Sequence, residues 1–420
     1  MEDDTIESLS IKLCKVLEDI GVTEELINLN RYVSILRDVL HTSIYTHTHV
    51  VIHTFGSQIE GSITLGMHSD IDTLFYLDTL AAYTDVTDRP PSKTSFLAVK
   101  TKMSCPQCYS LEFVMPRSGN TLLPANEDVF EISMKKINSK CKWDVLMSDE
   151  EGRALLSNHL QSKLLFENVH EFNPNDKIEQ HGPAHTINDE KDYVYGIHCS
   201  KMPDDCHVLF SRPKPGHWPK QVTTTKAKQC GVFFINPGNI GHTVSYDAER
   251  KTVLMNVHYQ NKFASSQWRV STNMIELLLM WDLDIVQMKA YILTKILRKQ
   301  LLKPIVGDKL STFHVKTAFL FTVEKYPMEM RNAENLVNCV LFCLKTLRRF
   351  LQRRYCPHYS IASVNLFDGK LKCSQFQTLI QELTEIINSG LQCVYTLKTD
   401  SLGERLKSFR STSTIALMPR

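Results

Sequence analysis

Apolar residues recur at helical spacing from Thr5 to about Leu40. Ile6, Leu9, Leu13, Val16 and Leu17 share one face, Gly21-Val22-Thr23 interrupts it, and Leu26, Leu29, Val33, Leu36 and Val39 resume it, which predicts two helices bracing the lobe that follows. The period then changes to two. Val50, Val51 and Ile52 favour a strand that Gly56-Ser57 breaks, and a second strand is predicted from Ile71 to Leu77. From Leu80 to Phe130, turn residues (Arg89-Pro90-Pro91, Arg117-Ser118-Gly119-Asn120) alternate with short apolar runs such as Phe96–Val99, the pattern of a β meander or hairpin insert. Asp144 to His170 reads as helix, Glu171 to Gly182 as a polar loop, and Asp192 to His198 as a strand. A helix over Val222–Cys230, a strand over Val232–Ile235, a turn at Asn236-Pro237-Gly238-Asn239 and a strand over 251–258 follow. Beyond Trp268-Arg269-Val270-Ser271 the period is helical, with helices predicted at about 274–303, 312–325, 334–353 and 374–389, then a flexible tail. The chain divides on this reading into N-terminal bracing helices (1–45), an α/β lobe (46–267), a helical lobe (268–398) and the tail (399–420).

Composition adds little and excludes some classes. The chain has 420 residues, 43% of them hydrophobic, which is ample for a buried core, and its net charge of +2 gives no global field of the kind that marks a nucleic-acid binder. The start, MEDDTIESLS, is acidic and lacks the basic and apolar segments of a signal peptide, and no apolar run approaches the ~20 residues that span a bilayer. A cytoplasmic protein with no membrane partner is expected, with its 12 cysteines reduced. Cys105-Pro106-Gln107-Cys108 has zinc-knuckle spacing, but no second pair follows at ribbon spacing, so no zinc site is expected.

Candidate chemistry concentrates in Val50–Asp78. A Gly-Ser turn at a strand end offers backbone N–H groups and a hydroxyl to a phosphate. Asp70 and Asp72 fall on one side of a strand, about 6–7 Å apart along the chain. Carboxylates so placed can share two Mg²⁺ or Mn²⁺ ions about 3.5–4 Å apart, the clamp used in phosphoryl transfer. Asp282 and Asp284 share the same spacing but lie in a predicted helix, where a step of two turns side chains apart. Asp192, at the start of its strand, is the candidate third acid, with Asp189 and Glu190 as competitors and a capping role as the alternative. Two basic groupings, Lys295, Arg298, Lys299 and Lys303, then Lys345, Arg348, Arg349, Arg353 and Arg354, suit a ligand made of phosphates, the alternative being solvated helix faces.

Gly56-Ser57, Ser69-Asp70-Ile71-Asp72, Trp218-Pro219, Trp268-Arg269-Val270-Ser271 and Thr312-Phe313-His314-Val315-Lys316-Thr317-Ala318, taken in order over about residues 50–350, resemble the cyclic GMP-AMP synthase-like (cGAS-like) branch of the male-abnormal nucleotidyltransferase family. The resemblance implies an α+β, bilobal nucleotidyltransferase fold: a twisted mixed β-sheet lobe with N-terminal helices, a C-terminal all-helical lobe, and the nucleotide between them. It assigns Gly56 and Ser57 to the donor triphosphate, Asp70, Asp72 and Asp192 to metal binding and catalysis, Arg269 and Ser271 to nucleotide contacts, and Phe313, beside Thr312, to base stacking. Lys289 loosely matches the family's lysine on that helix. The implied function is a Mg²⁺-dependent (or Mn²⁺-dependent) synthase joining ATP and/or GTP into a cyclic or short linear dinucleotide signal, a ligand-activated innate-immune sensor. A catalytically silent nucleotide-binding scaffold of the same fold is the alternative. The zinc-bearing insertion of the vertebrate enzyme is missing, since Met274 to Arg298 contains no cysteine, which disfavours double-stranded DNA as activator and leaves double-stranded RNA, bound through the basic groupings, as the expectation.

Overall fold

The computed structural model describes residues 5–45, 47, 49–100, 104–116, 122–124, 146–158, 178–188, 190–238, 242–247, 252–257, 264–327 and 332–415. Its α-helices of five residues or more, among the described residues, are α1 (Ile6–Asp19), α2 (Glu24–Ile44), α3 (Gly56–Glu60), α4 (Gln221–Gln229), α5 (Asn273–Trp281), α6 (Ile285–Leu297), α7 (Thr312–Lys325), α8 (Leu336–Arg353), α9 (Cys373–Asn388) and α10 (Leu402–Ile415). Its strands are β1 (Val50–Phe55), β2 (Ile71–Leu77), β3 (Leu80–Tyr83), β4 (Thr94–Val99), β5 (Cys108–Pro116), β6 (Leu122–Pro124), β7 (Leu146–Ser148), β8 (Ala154–Leu156), β9 (Ile178–His181), β10 (Ala184–Ile187), β11 (Lys191–Cys199), β12 (Val232–Ile235), β13 (His242–Asp247), β14 (Thr252–Val257) and β15 (Gln267–Ser271). The protein is a mixed α+β structure: thirteen described strands join one sheet whose main path is β1-β2-β11-β12-β15-β5-β4-β3, and the helices from α5 onward form a helical C-terminal region. β2–β11 and β3–β4 are parallel, and Cys199 of β11 also pairs with Ala82 of β3, so the sheet curls back on itself.

The N-terminal helices form where the pattern and caps predict them. Thr5 and Thr23 are the N-caps, each accepting a backbone N–H, from Ser8 at 3.2 Å and Leu26 at 3.3 Å. α1 buries Leu9, Leu13, Val16 and Leu17, as its spacing implies. α2 does the reverse. A bracing helix would turn Leu29, Val33, Leu36 and Val39 inward, yet these are exposed, and the side facing the protein carries Arg31, Ser34, Asp38 and Thr42. The reason lies in β1, which ends the sheet path and, among the described residues, pairs only with β2. Its outward N–H groups need acceptors. Asp38 Oδ2 takes the Thr54 N–H at 2.7 Å, Asp38 Oδ1 takes the Thr54 hydroxyl at 2.5 Å, and Thr42 Oγ1 takes the Ile52 N–H at 3.1 Å. Arg31 donates to the carbonyls of Glu60 and Met280. The polar side of α2 is committed to the sheet edge, and the apolar side is left facing out.

Several other expectations are corrected. Leu80 to Pro116 is not a plain meander, because β3 and β4 run parallel; the turn at 117–120 lies outside the described residues. Residues 146–148 and 154–156, read as helix, are strands pairing with each other, and β8 also pairs with β5. Residues 178–181 of the supposed polar loop form β9. Residues 159–177 and Asp189 are outside the described residues. The hairpin partner β13 was missed, whereas β14 falls on the predicted 251–258 run. Trp268 to Ser271 belong to the sheet, so the helical region starts at Asn273. The predicted 274–303 helix is broken at Asp282-Leu283-Asp284, where Asp282 accepts the Lys220 N–H and the Thr223 hydroxyl and Asp284 caps α6 in a box with Gln287. The tail is α10 through Ile415, docked by buried Leu402 and Leu406, and Asp400 accepts from the Thr64 hydroxyl and the Gly66 N–H.

Candidate active-site cleft

A cleft of about 340 Å³ opens between one face of the sheet and the helical region. Its sheet wall follows from alternation: Phe55, Asp72, Leu74, Val194, Ile235 and Arg269 all present to the same face. Its opposite wall comes from α5, α6 and α7, through Glu276, Tyr291, Thr312, Phe313 and Lys316 among others.

Parallel pairing of β2 with β11 puts Asp192 in register with Asp72. A Thr186 hydroxyl on β10 donates to Asp192 Oδ1 at 2.5 Å and fixes its direction. On the other flank, Phe55 pairs with Asp72, and the chain turns at Gly56 with φ +75°. A Cβ on Gly56 would lie 1.8 Å from Asp72 Oδ2, so the carboxylate rests on bare backbone. Asp70 lies exposed just before β2, where the Ile71 N–H donates to the Glu190 carbonyl. Although Asp72 is partly open to the cleft, desolvation first and the Asp192 charge second push its carboxyl up to about 7, with Lys316 pulling the other way.

Behind this edge lies a buried charge network. Lys295 of α6 donates to Ser57 Oγ at 2.8 Å and to the Ser62 carbonyl at 2.7 Å. Burial lowers its ammonium to about 8 against the pull of Glu60. Lys316 of α7 pairs with Glu60 of α3 and stands 3.9 Å from Glu276 of α5; burial opposes its charge, but the carboxylates hold its pKa above the ordinary lysine value. Arg269 is held low by burial, and its Nε is buried without a hydrogen-bond partner, as is Ser271 Oγ two residues on. A half-buried guanidinium with an unpartnered Nε on a cleft wall is a ready anion contact.

The structure thus brings Gly56, Ser57, Asp72, Arg269, Thr312 and Phe313 onto one cleft, with Asp192 in register beside Asp72. The Phe313 ring packs 5.5 Å from that of His358. Ser271 is buried and does not line the cleft. Lys289 is corrected: its Nζ turns away to Glu18 of α1 at 2.5 Å, because a helix step sends it to the side packed on the N-terminal helix. The lysines that reach the site are Lys295 and Lys316. Lys295 belongs to the first basic grouping and Lys316 to the Thr312–Ala318 stretch, where the sequence alone gives it no role; Glu60, Glu276 and Thr186 carry no motif signal. The surface reading of the first basic grouping fails for Lys295 and for Arg298, which is buried on the Leu310 carbonyl and Asp308, whereas Arg349, Arg353 and Arg354 are exposed on and just after α8. Cys105 and Cys108 are not in a disulfide.

The donor set beside Gly56 is carboxylate oxygen, which suits a hard divalent cation, and the charge crowding of Asp72 by Asp192 is what such a cation would relieve. Among the described residues, no group of three His, Cys, Asp or Glu side chains is already gathered as a metal cage. No described helix is long and apolar enough to cross a membrane.

Fold and cleft together define an α+β protein with acidic sheet residues facing a helical region across a cleft of mixed polar and apolar lining. Within that region, residues 286–385 match the family model of the Mab-21 protein HhH/H2TH-like domain. This match supports membership of the Mab-21/cGAS-like family, which is related to nucleotidyltransferases.

Proposed function

We propose that the protein has the bilobal nucleotidyltransferase fold and is a nucleotidyltransferase that joins ATP and/or GTP into a cyclic or short linear dinucleotide, acting in the cytoplasm as a ligand-activated innate-immune sensor. The observation that carries this reading is the register of Asp192 with Asp72 over the side-chain-free backbone of Gly56. Bound Mg²⁺ or Mn²⁺ would lower the pKa of the attacking hydroxyl and neutralise the leaving pyrophosphate.

The chain's own groups supply the rest. Asp70, Asp72 and Asp192 are the cation ligands, with Thr186 orienting Asp192. Ser57 and the Lys295 ammonium hold donor phosphates, Lys295 being the lysine this chain aims at the Gly-Ser turn. Arg269 supplies a fixed positive charge on the cleft wall, where a desolvated donor acts more strongly than in water. Phe313 offers a stacking face to a base.

The test is incubation of the purified protein with ATP and GTP and Mg²⁺ or Mn²⁺, with and without long double-stranded RNA or DNA. A phosphatase-resistant dinucleotide is expected that disappears in Asp72→Asn. No product with any activator would count against catalysis.

A second reading, a nucleotide-binding scaffold without turnover, is favoured by the place of Asp70, which is exposed just before β2 and does not line the cleft. It predicts a thermal shift with nucleotide that survives Asp192→Ala, and no product.

A further inference from the structure

The strongest unexplained surface is the outer face of α2. Leu29, Val33, Leu36, Leu40 and Ile44, spaced by three or four residues, form one stripe, with Tyr32 and Val39 beside it. These seven side chains are 43% to 71% exposed. Together they present on the order of 600–700 Å² of surface, above the roughly 300–600 Å² of the largest patch on an ordinary monomer and approaching the ~800 Å² that one partner gives a standard interface. The opposite side of the helix is occupied by polar bonds to the β1 edge, so α2 cannot roll over to bury the stripe without uncapping Ile52 and Thr54.

We infer that this face is a self-association surface, on which α2 of a second copy of the chain packs antiparallel about a two-fold axis. The argument is self-complementarity, which an isologous contact demands. The stripe is symmetric about its middle. Running the second helix the other way sets Leu29 against Ile44, Val33 against Leu40, and Leu36 near its own copy. The ends also match in hydrogen-bonding character: Glu24 and Glu25, exposed at the helix start, come beside the exposed His47 and His49 that follow the helix in the other copy, whose ring N–H groups can donate to carboxylates. The exposed face of α2 carries no lysine or arginine, its two arginines being turned inward, so it lacks the basic character of a surface that binds anionic lipid or nucleic acid. This contact stands apart from the cleft, and its test does not depend on turnover.

Sedimentation of the 420-residue chain over a concentration series should give twice the monomer mass for the wild type. Leu36→Arg should weaken self-association by about 100-fold or more while the monomer keeps its fold by circular dichroism, since Leu36 points to solvent there. Orientation is read by cross-linking in a Cys373→Ser background, which removes an exposed thiol. Protein with Leu29→Cys mixed with protein carrying Ile44→Cys should form a disulfide-linked dimer that neither forms alone. A wild type that stays monomeric at about 100 μM, a dimer indifferent to Leu36→Arg, or self-cross-linking by Leu29→Cys alone would overturn the proposal. So would a monomer that floats with neutral phosphatidylcholine vesicles in a Leu36-dependent manner, which would assign the stripe to a lipid surface.

Discussion

Replacing Gly56 by alanine tests the link between backbone conformation and the acidic pair. Gly56 has φ +75°, and leaving glycine there costs about 1–2 kcal/mol for the left-handed backbone alone. The added methyl is the larger problem, because its carbon would sit 1.8 Å from Asp72 Oδ2 and 2.9 Å from Asp72 Cγ. One of the two must move by more than an ångström, and Asp72 is the side chain free to swing, which takes it out of register with Asp192. A displacement of that size at a reacting centre costs about 100-fold in rate. Gly390→Ala is the control: its φ is +60° and nothing lies within 4 Å of the new methyl, so it carries the backbone cost without the collision. Both variants should lose stability in urea, Gly56→Ala by about 1–2 kcal/mol more than the control. Dinucleotide formation should fall about 100-fold in Gly56→Ala and stay within about two-fold of wild type in Gly390→Ala. Equal stability losses, together with undiminished product formation in Gly56→Ala, would refute the claim that the carboxylate depends on bare backbone at this turn.

Two further outcomes follow from buried charge. Lys316→Met leaves Glu60 and Glu276 facing each other without their cation, so it should cost about 3–5 kcal/mol in chemical denaturation, and Glu60→Gln added to it should restore part of the loss. His358 is kept neutral first by burial and then by Arg269, which lowers its folded pKa to about 3. The unfolded chain therefore takes up this proton first as pH falls below about 6.5, and the stability contributed by the neutral ring is lost progressively from there down to about 3. At pH 5 this amounts to about 2 kcal/mol, which His358→Gln should remove, measured as a shallower fall of unfolding free energy between pH 7 and 5.

What could be read from the sequence, and what could not, divides by the range of the interaction. α1, β1, β2, β11, α7 and α9 were legible because their periodicity and end signals are local. So was the juxtaposition of Gly56 with Asp72, to the extent that a Gly-Ser turn followed by an acidic strand suggests a shared site. β7, β8 and the β3–β4 crossover were not, because two or three residues carry no period and pairing partners are remote. Lys289 and Lys295 show the same limit at single-residue scale: both sit on α6, six residues apart, and only the packing of that helix decides that one meets Glu18 and the other Ser57. α2 fails in the most instructive way. Its amphipathic pattern was recognised, and the inference that an apolar stripe faces the protein is sound for an isolated domain. In this chain the stripe faces out because the edge of β1 needs acceptors that Asp38 and Thr42 supply from the opposite side of the helix. Periodicity reports that a helix has two unlike faces; which of them the chain itself covers is decided by the partner strand, and the face left over points to what the protein meets outside its own fold.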